Sequence, residues 1–463
     1  MTPALHYFKS YVAVVGLGRS GLSAARALEK VGAKVVVWDD DEGVRAYAEG
    51  EGFTVIQPSE SAWAALKTVV WSPGIPLTHS AALLAGRLGI PIVCDVDLLC
   101  EAKQDARVIA VTGTNGKSTT VALIAHILES AGCPVAVGGN IGVPALDLPE
   151  LDWRGTYVLE LSSYQLEMVP HLKADIAVWL NISPDHLGRH GGLQGYIDAK
   201  EHIFQGHKPG AVDIIGIDDP ESEKVYTKRQ KNALQPVVPV STGHAVTRGF
   251  FVTEGVLYDG RRKKPQAICD MQSFNQLPGV HNWQNIACAF AAAEVCGLSA
   301  DRIVDAIKTF SGLPHRLEIV ECIEGVPFIN DSKATNPSAT ARALACYDSI
   351  LWIAGGEPKD DDLSSLQLFF PRVRQAFLIG KAQDAFAQEL EGKAPWVKCG
   401  SLQSAVERAD ELAEHGDVVL LSPACASFDQ FRDFEHRGRE FARIVQSLAE
   451  EEYEERLVEE ETL

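Results

Sequence analysis

Short apolar runs alternate with helical stretches along most of the chain, and they fall into three series. The first contains Val12 to Val15, Val35 to Trp38, Thr68 to Trp71 and Ile90 to Cys94, with Ala/Leu-rich stretches such as Leu22 to Lys30 between them. The second begins at Val108 to Thr112, continues through Val135 to Val137, Tyr157 to Leu161 and Ile176 to Asn181, and reaches a helix-like Asn285 to Cys296. The third runs from Pro327 to Asn330 through Ile350 to Ala354, Ala376 to Ile379 and Val418 to Leu421, each followed by a helical stretch. This pattern predicts parallel α/β structure. Val96 to Ala106 and Gly312 to His315 have the polar or Pro/Gly composition of linkers. They divide the chain into expected domains of 1–97, 98–314 and 315–463, in keeping with a length of 463 residues.

Composition narrows the class. Charged residues make up 22% and hydrophobic residues 46%, as in a soluble globular protein. No run of eighteen apolar residues occurs, and the chain passes from Met1 through Lys9 directly into the strand-like Tyr11 to Val15, leaving no room for a signal peptide. A cytoplasmic protein without a membrane partner is expected. With 42 basic against 62 acidic residues the net charge is -20, which argues against nucleic acid as a partner. Any anionic substrate must therefore meet locally placed basic groups. The ten cysteines are scattered singly from Cys94 to Cys425 with no C-x-x-C pair, and are expected to be reduced core thiols. The Glu-rich stretch Glu450 to Leu463 reads as a solvated helical or frayed tail.

The sharpest chemical signal is Gly113-Thr114-Asn115-Gly116-Lys117-Ser118-Thr119, placed between the strand Val108 to Thr112 and the amphipathic stretch Thr120 to Ser130. Glycines let backbone N–H groups converge on phosphate oxygens, and a helix N-terminus adds a positive field. Lys117 can reach the outer phosphates and Ser118 can ligate magnesium. The spacing is two residues shorter than the usual Walker pattern. A plain glycine turn with an exposed lysine is the competing reading, and the flanking strand and helix disfavour it.

Other turns carry weaker signals. Gly16-x-Gly18-x-x-Gly21, with Asp39 closing the next strand, has the form of a dinucleotide fingerprint, although turn and packing geometry alone can demand these glycines. Ser72-Pro73-Gly74 ends another strand of that series. Glu160 ends the strand Tyr157 to Leu161 and can hold magnesium beside a phosphate loop. His186 follows Ile176 to Asn181 and by the same sheet-edge logic can face the site. In the third series Asn330 to Pro337 and Ser422 to Phe431 are small polar turns after strands. Each alone reads as a loop; two of them in a domain without its own phosphate loop suggest a substrate site.

In this order, and over nearly the whole chain, these segments resemble the Mur ligases of peptidoglycan synthesis. The GTNGKST loop is shared with the wider family, which includes folylpolyglutamate synthases. The ELSSYQLE, GLPHR, NDSKATNP and LLSPACASFDQF segments point to the member that adds D-glutamate. The resemblance implies an N-terminal Rossmann-like domain for the substrate UDP-N-acetylmuramoyl-L-alanine, a central P-loop ATPase domain with a mainly parallel sheet, and a C-terminal Rossmann-like domain for D-glutamate. It also implies ATP, two Mg2+ ions and a monomeric enzyme that activates a carboxylate as an acyl phosphate.

Residue by residue, the resemblance gives Gly113 to Thr119 to ATP, and Ser118, Glu160, His186 and Lys200 to the metal sites, with Lys200 as a carbamate. Catalytic roles fall to Lys117, Glu160, His186 and Lys200. Asn282 and Asn285 match adenine contacts, and Arg316 and Asp331 match phosphate and ribose contacts. Arg19, Ser20, Asp39, Gly74 and Asn140 match positions that touch the UDP substrate. Lys333, Thr335, Lys359, Ser427 and Phe434 match the D-glutamate end of the site. Asp41 stands where some relatives carry arginine, which leaves the uridine contacts open. Two other classes compete. An NAD(P)-dependent oxidoreductase explains the first glycine motif and leaves GTNGKST idle; a nucleotide-binding switch uses the phosphate loop without covalent chemistry.

Overall fold

The computed structural model describes residues 3–274, 276–358 and 363–462. Among them twenty strands form three sheets. Contacts divide the chain into two compact units, Met1–Met271 with Trp283–Thr309, and Gln272–Asn282 with Phe310–Leu463.

The first unit holds two sheets. Strands β1 (Tyr11–Val15), β2 (Lys34–Trp38), β3 (Thr54–Val55), β4 (Thr68–Trp71) and β5 (Ile92–Val93) lie parallel in the order β3-β2-β1-β4-β5. Val12 to Val15 are all buried, as a strand covered on both faces requires. The second sheet contains β6 (Arg107–Thr112), β7 (Val135–Gly139), β8 (Thr156–Glu160), β9 (Ile176–Trp179), β10 (Val212–Gly216), β11 (Val237–Ser241), β12 (Phe250–Thr253), β13 (Val256–Asp259) and β14 (Gln266–Asp270). Its order is β14-β13-β12-β11-β10-β9-β6-β8-β7. It is parallel except at β12-β13-β14, where Glu254 and Gly255, at φ of 50° and 76°, make the tight hairpin turn that positive φ permits.

The order reverses at β1, between β2 and β4, and at β6, between β8 and β9. Crevices at such points collect ligands at the carboxyl ends of the strands. The turn predicted to bind phosphates follows β6, and the turn with the form of a dinucleotide fingerprint follows β1.

The second unit holds β15 (Glu318–Ile323), β16 (Val326–Asn330), β17 (Ile350–Gly355), β18 (Val373–Ile379), β19 (Trp396–Gly400) and β20 (Val418–Leu421), in the order β15-β16-β20-β17-β18-β19. Only β15 runs antiparallel to its neighbour. The adjacent ends of β16, β20 and β17 carry the turns at Asn330, Ser422 and Gly355.

Three expectations need correction. Val96 to Ala106 is not an open linker: Asp95–Ala102 is a helix in which Val96, Leu98 and Leu99 are fully buried, so the expected break after residue 97 falls inside it. Five strands from 212 to 270 were not foreseen, because Asp213, Pro239 and the exposed Gln266–Asp270 blur the apolar runs. All ten cysteines are free, yet only Cys94, Cys100, Cys288 and Cys425 are buried, and Cys322 is exposed. No helix among the described residues is long and apolar enough to cross a membrane.

Candidate active site

The turn after β6 is shaped by two glycines at positive φ, Gly113 at 156° and Gly116 at 83°, the latter capping the helix Lys117–Ser130. A Cβ on Gly116 would stand 2.1 Å from Asn285 Oδ1, so the turn has room for glycine alone. Asn181, just beyond β9, grips the turn from below. Its carbonyl accepts from Thr114 N at 2.8 Å, its Oδ1 accepts from Asn115 N at 2.9 Å, and its Nδ2 donates to Asn115 O at 3.2 Å. Three contacts from one side chain and its backbone fix the shape of the loop.

Two lysines meet inside this turn. Lys117 Nζ donates to Gly113 O and to Thr114 O, both at 2.9 Å. Lys200, 1% exposed on the helix Leu193–Glu201, donates to Gly113 O at 2.9 Å and to Thr112 Oγ1 at 3.2 Å. Burial first, and then the positive Lys117, push the Lys200 amine well below the ordinary lysine range.

Glu160 closes β8 next to this pair and is 3% exposed. Asn140 binds it twice, through N–H to Glu160 O at 2.8 Å and through Nδ2 to Oε1 at 2.9 Å. The second carboxylate oxygen, Oε2, is buried without a hydrogen-bond partner. A buried carboxylate oxygen with no donor is costly unless a cation faces it, so Glu160 fits a metal ligand. Among the described residues no three His, Cys, Asp or Glu side chains form a ready-made metal cage.

His186 sits at φ 52°, half-exposed beside Asp185, and joins Lys200 through a chain of rings. Its ring centroid lies 5.1 Å from Tyr164, Tyr164 lies 5.4 Å from His190, and His190 lies 5.5 Å from Tyr196. The Tyr196 ring in turn stands 4.8 Å from Lys200 Nζ, and its hydroxyl is 3.2 Å from Thr114 Oγ1. Asn181, His190 and Tyr196 were missed in the sequence. Nothing in their local patterns separates them from ordinary polar and aromatic positions.

The first glycine turn also needs its glycines. Gly16 has φ 86°, and a Cβ on Gly21 would fall 1.9 Å from Gly16 O. Asp39 stabilises this turn, accepting from Leu17 N at 2.7 Å and from Asp41 N at 3.0 Å. Both oxygens are held by backbone, and each keeps lone pairs for a ligand. Asp41 caps the helix Glu42–Gly50 by accepting from Val44 N. Arg19 and Ser20 open the helix Arg19–Lys30, and Gly74 lies in the turn after β4.

Asn282 and Asn285 share the helix Val280–Val295 and are both buried. In the second unit Asp331 accepts from Ser422 Oγ at 2.8 Å and from Leu317 N at 3.3 Å. Burial raises its carboxyl to about 7, against the opposing pull of Ser422 and of the positive Arg316. Lys333 Nζ stands 5.7 Å from the Phe434 ring, Thr335 is half-buried and Ser427 is buried. Lys359 lies outside the described residues.

Arg437, unremarked in the sequence, ties these loops together. Its guanidinium, 1% exposed, donates to Ser332 Oγ at 3.0 Å, Ser332 O at 2.9 Å, Cys425 O at 3.1 Å and Ala426 O at 3.3 Å. Burial lowers it to about 10. The planar fork thus joins the turn after β16 to the turn after β20.

Comparison with known proteins identifies the family. The profile of the Mur ligase MurD-like N-terminal domain matches residues 10–94, that of the Mur ligase middle domain matches 111–293, and that of the Mur ligase glutamate ligase domain matches 315–425. UDP-N-acetylmuramoylalanine--D-glutamate ligase of Rhodospirillum rubrum is 49% identical over 463 residues, covering 97% of each chain. The protein of the same name from Paramagnetospirillum magneticum is 48% identical and covers 94% of this chain and 96% of its own. Among solved structures, MurF from Acinetobacter baumannii superposes with TM-score 0.60 at 17% identity, covering 96% of this chain and 93% of that one. MurC from Thermotoga maritima gives 0.57 at 17% identity, covering 94% and 99%; at such identity both speak for the fold alone. The chain belongs to the Mur ligase family, with its three α/β domains, and is an ATP-dependent ligase that forms an amide bond.

Proposed function

We propose that this enzyme adds D-glutamate to UDP-N-acetylmuramoyl-L-alanine through an acyl phosphate, acting as a monomer in the cytoplasm. Relatives that bear this activity in their names match along almost the full chain at 44% to 49% identity. We assign the UDP substrate to the domain of β1 to β5, ATP to that of β6 to β14 and D-glutamate to that of β15 to β20.

A carboxylate resists amines because resonance spreads its charge, so one oxygen must first become a leaving group. Transfer of a phosphoryl group from ATP achieves this. Gly113 to Thr119 would cradle the phosphates, with Lys117 leaving its backbone carbonyls to neutralise the outermost one. Ser118 and Glu160 would hold one Mg2+; His186 and Lys200, as a carbamate, would serve a second. Magnesium, when bound, offsets charge on the phosphate oxygens. The carbamate is supported by chemistry: an amine adds to carbon dioxide only when neutral, and burial beside Lys117 favours the neutral amine at Lys200.

Asn282 and Asn285 would face adenine, Arg316 and Asp331 the phosphates and ribose. Arg19, Ser20, Asp39, Gly74 and Asn140 would contact the UDP substrate. Lys333, Thr335, Ser427, the backbone at Phe434, and Lys359 would orient D-glutamate, whose two carboxylates need cations and directed donors. The observation that carries the reading is the convergence of Lys117 and Lys200 on Gly113 O in a phosphate turn. The test is phosphate release with UDP-N-acetylmuramoyl-L-alanine and a panel of amino acids. Release that depends on both that substrate and D-glutamate is expected; release indifferent to the amino acid would overturn the assignment.

A further inference from the structure

Three contacts tie the helices Arg19–Lys30 and Asp95–Ala102 to the segment between β7 and β8. Ser23 Oγ donates to Asp147 Oδ1 at 2.7 Å, Arg19 Nη2 donates to Gly142 O at 3.4 Å, and Ala145 N donates to Asp95 Oδ2 at 3.4 Å. Asp95 also lines a small cavity with Ser20, Ser72 and Pro73, so it abuts the turns after both β1 and β4. At its other end the segment begins with Asn140, which holds Glu160 by two hydrogen bonds. In between, Ala145, Leu146 and Leu148 are buried. The segment is thus fixed at one end to the helix that opens from the first glycine turn and at the other to the carboxylate suited to metal.

We propose that Ser23 and Asp147 are positioning residues that couple the UDP-substrate turn to the metal carboxylate Glu160. This rests on the assignment of that turn to the UDP substrate. A ligand that orders Gly16 to Gly21 sets the helix Arg19–Lys30; the Ser23 hydroxyl then holds Asp147, and the segment carries that constraint to Asn140 and Glu160. The bond is short and its acceptor is charged; its donor Ser23 is 2% exposed, while Asp147 lies at the surface. Neither residue is among those assigned to substrate, nucleotide or metal. Their loss therefore changes how one ligand affects the other more than it changes either affinity alone, and coupling of this kind is reciprocal. A purely structural hydrogen bond would lower the melting temperature and leave the coupling intact.

The test is calorimetric titration of the full chain with UDP-N-acetylmuramoyl-L-alanine, with and without Mg2+ and a non-hydrolysable ATP analogue. The ratio of the two dissociation constants reads the coupling. In the unaltered enzyme a ratio of about tenfold is expected, the size of one charge-assisted hydrogen bond. Ser23→Ala and Asp147→Ala should each bring it toward one, and the double variant should lose no more than either single. Arg26→Ala, which breaks the exposed pair with Glu51 on the same helix, should leave it unchanged. An unchanged ratio in folded Ser23→Ala and Asp147→Ala, or a ratio of one in the unaltered enzyme, overturns the coupling while leaving the substrate assignment standing. Absence of UDP-substrate binding to the unaltered enzyme overturns that assignment, and the coupling with it.

Discussion

Lys117 and Lys200 donate to the same carbonyl oxygen, that of Gly113, each at 2.9 Å. Two ammonium groups on one acceptor repel each other, and Lys200 has almost no solvent to screen the repulsion. The repulsion is relieved when Lys200 is neutral, the form that burial and Lys117 both favour.

Lys200→Ala should lower turnover at least about a hundredfold, the usual cost of removing a preorganised charge. A short carboxylic acid that can occupy the vacated volume should restore part of it. Unaltered enzyme supplied with 13C-labelled bicarbonate should show a carbamate carbon signal that is absent from the variant. Full activity of the folded variant, or no labelled signal, would remove the carbamate from the mechanism.

Gly116→Ala tests the fit of the phosphate turn. Alanine at φ 83° costs about 1–2 kcal/mol, and its Cβ would strike Asn285 Oδ1 at 2.1 Å. Because Asn285, which we assign to adenine, must move to make room, the apparent requirement for ATP should rise at least about tenfold while that for D-glutamate changes little. Equal change toward both substrates in steady-state titrations would mean that the turn does not shape the nucleotide site.

Arg437→Lys keeps the charge but cannot reproduce four hydrogen bonds from a planar fork. The loops after β16 and β20 should lose their common anchor, with a stability loss of about 3 kcal/mol measured by denaturant unfolding. In variant that remains folded, the requirement for D-glutamate should rise more than that for ATP. Wild-type stability would show that the clamp is dispensable.

The sequence revealed those parts of the fold whose signals are local. The strand before GTNGKST and the glycines announce themselves within ten residues, whereas Glu160 gains meaning only beside that loop. Arg437 is different: it looks like one base among several on the helix Phe434–Thr462, and only the fold shows its guanidinium bonded to Ser332, Cys425 and Ala426. Asn181 grips the phosphate turn from 66 positions away, and Tyr196 reaches Thr114 from 82. Such contacts have no period or spacing in the chain. The strands between 212 and 270 failed for another reason: the Oδ2 of buried Asp213 accepts from Arg229 and Gln235, partners that a hydropathy pattern cannot supply.

Asp331 gives the last prediction, a pH dependence of stability. Its native carboxyl titrates at about 7, above the unfolded value near 4, chiefly because it is buried. The folded protein therefore binds the proton more tightly than the unfolded chain does. The stabilising contribution is complete below about pH 4 and is lost as the pH rises through about 7. Asp331→Asn, which cannot ionise, should gain stability relative to the unaltered protein between those limits, and the difference should level off above them. Ser422 opposes the rise by donating to Oδ2 at 2.8 Å. Ser422→Ala should consequently push the upper limit of the window to still higher pH. Urea unfolding of the three proteins from pH 4 to pH 9 measures both effects. A difference between Asp331 and its asparagine variant that stays constant over this range would show that Asp331 keeps one protonation state throughout, and that the charge of Arg316, rather than burial, governs it.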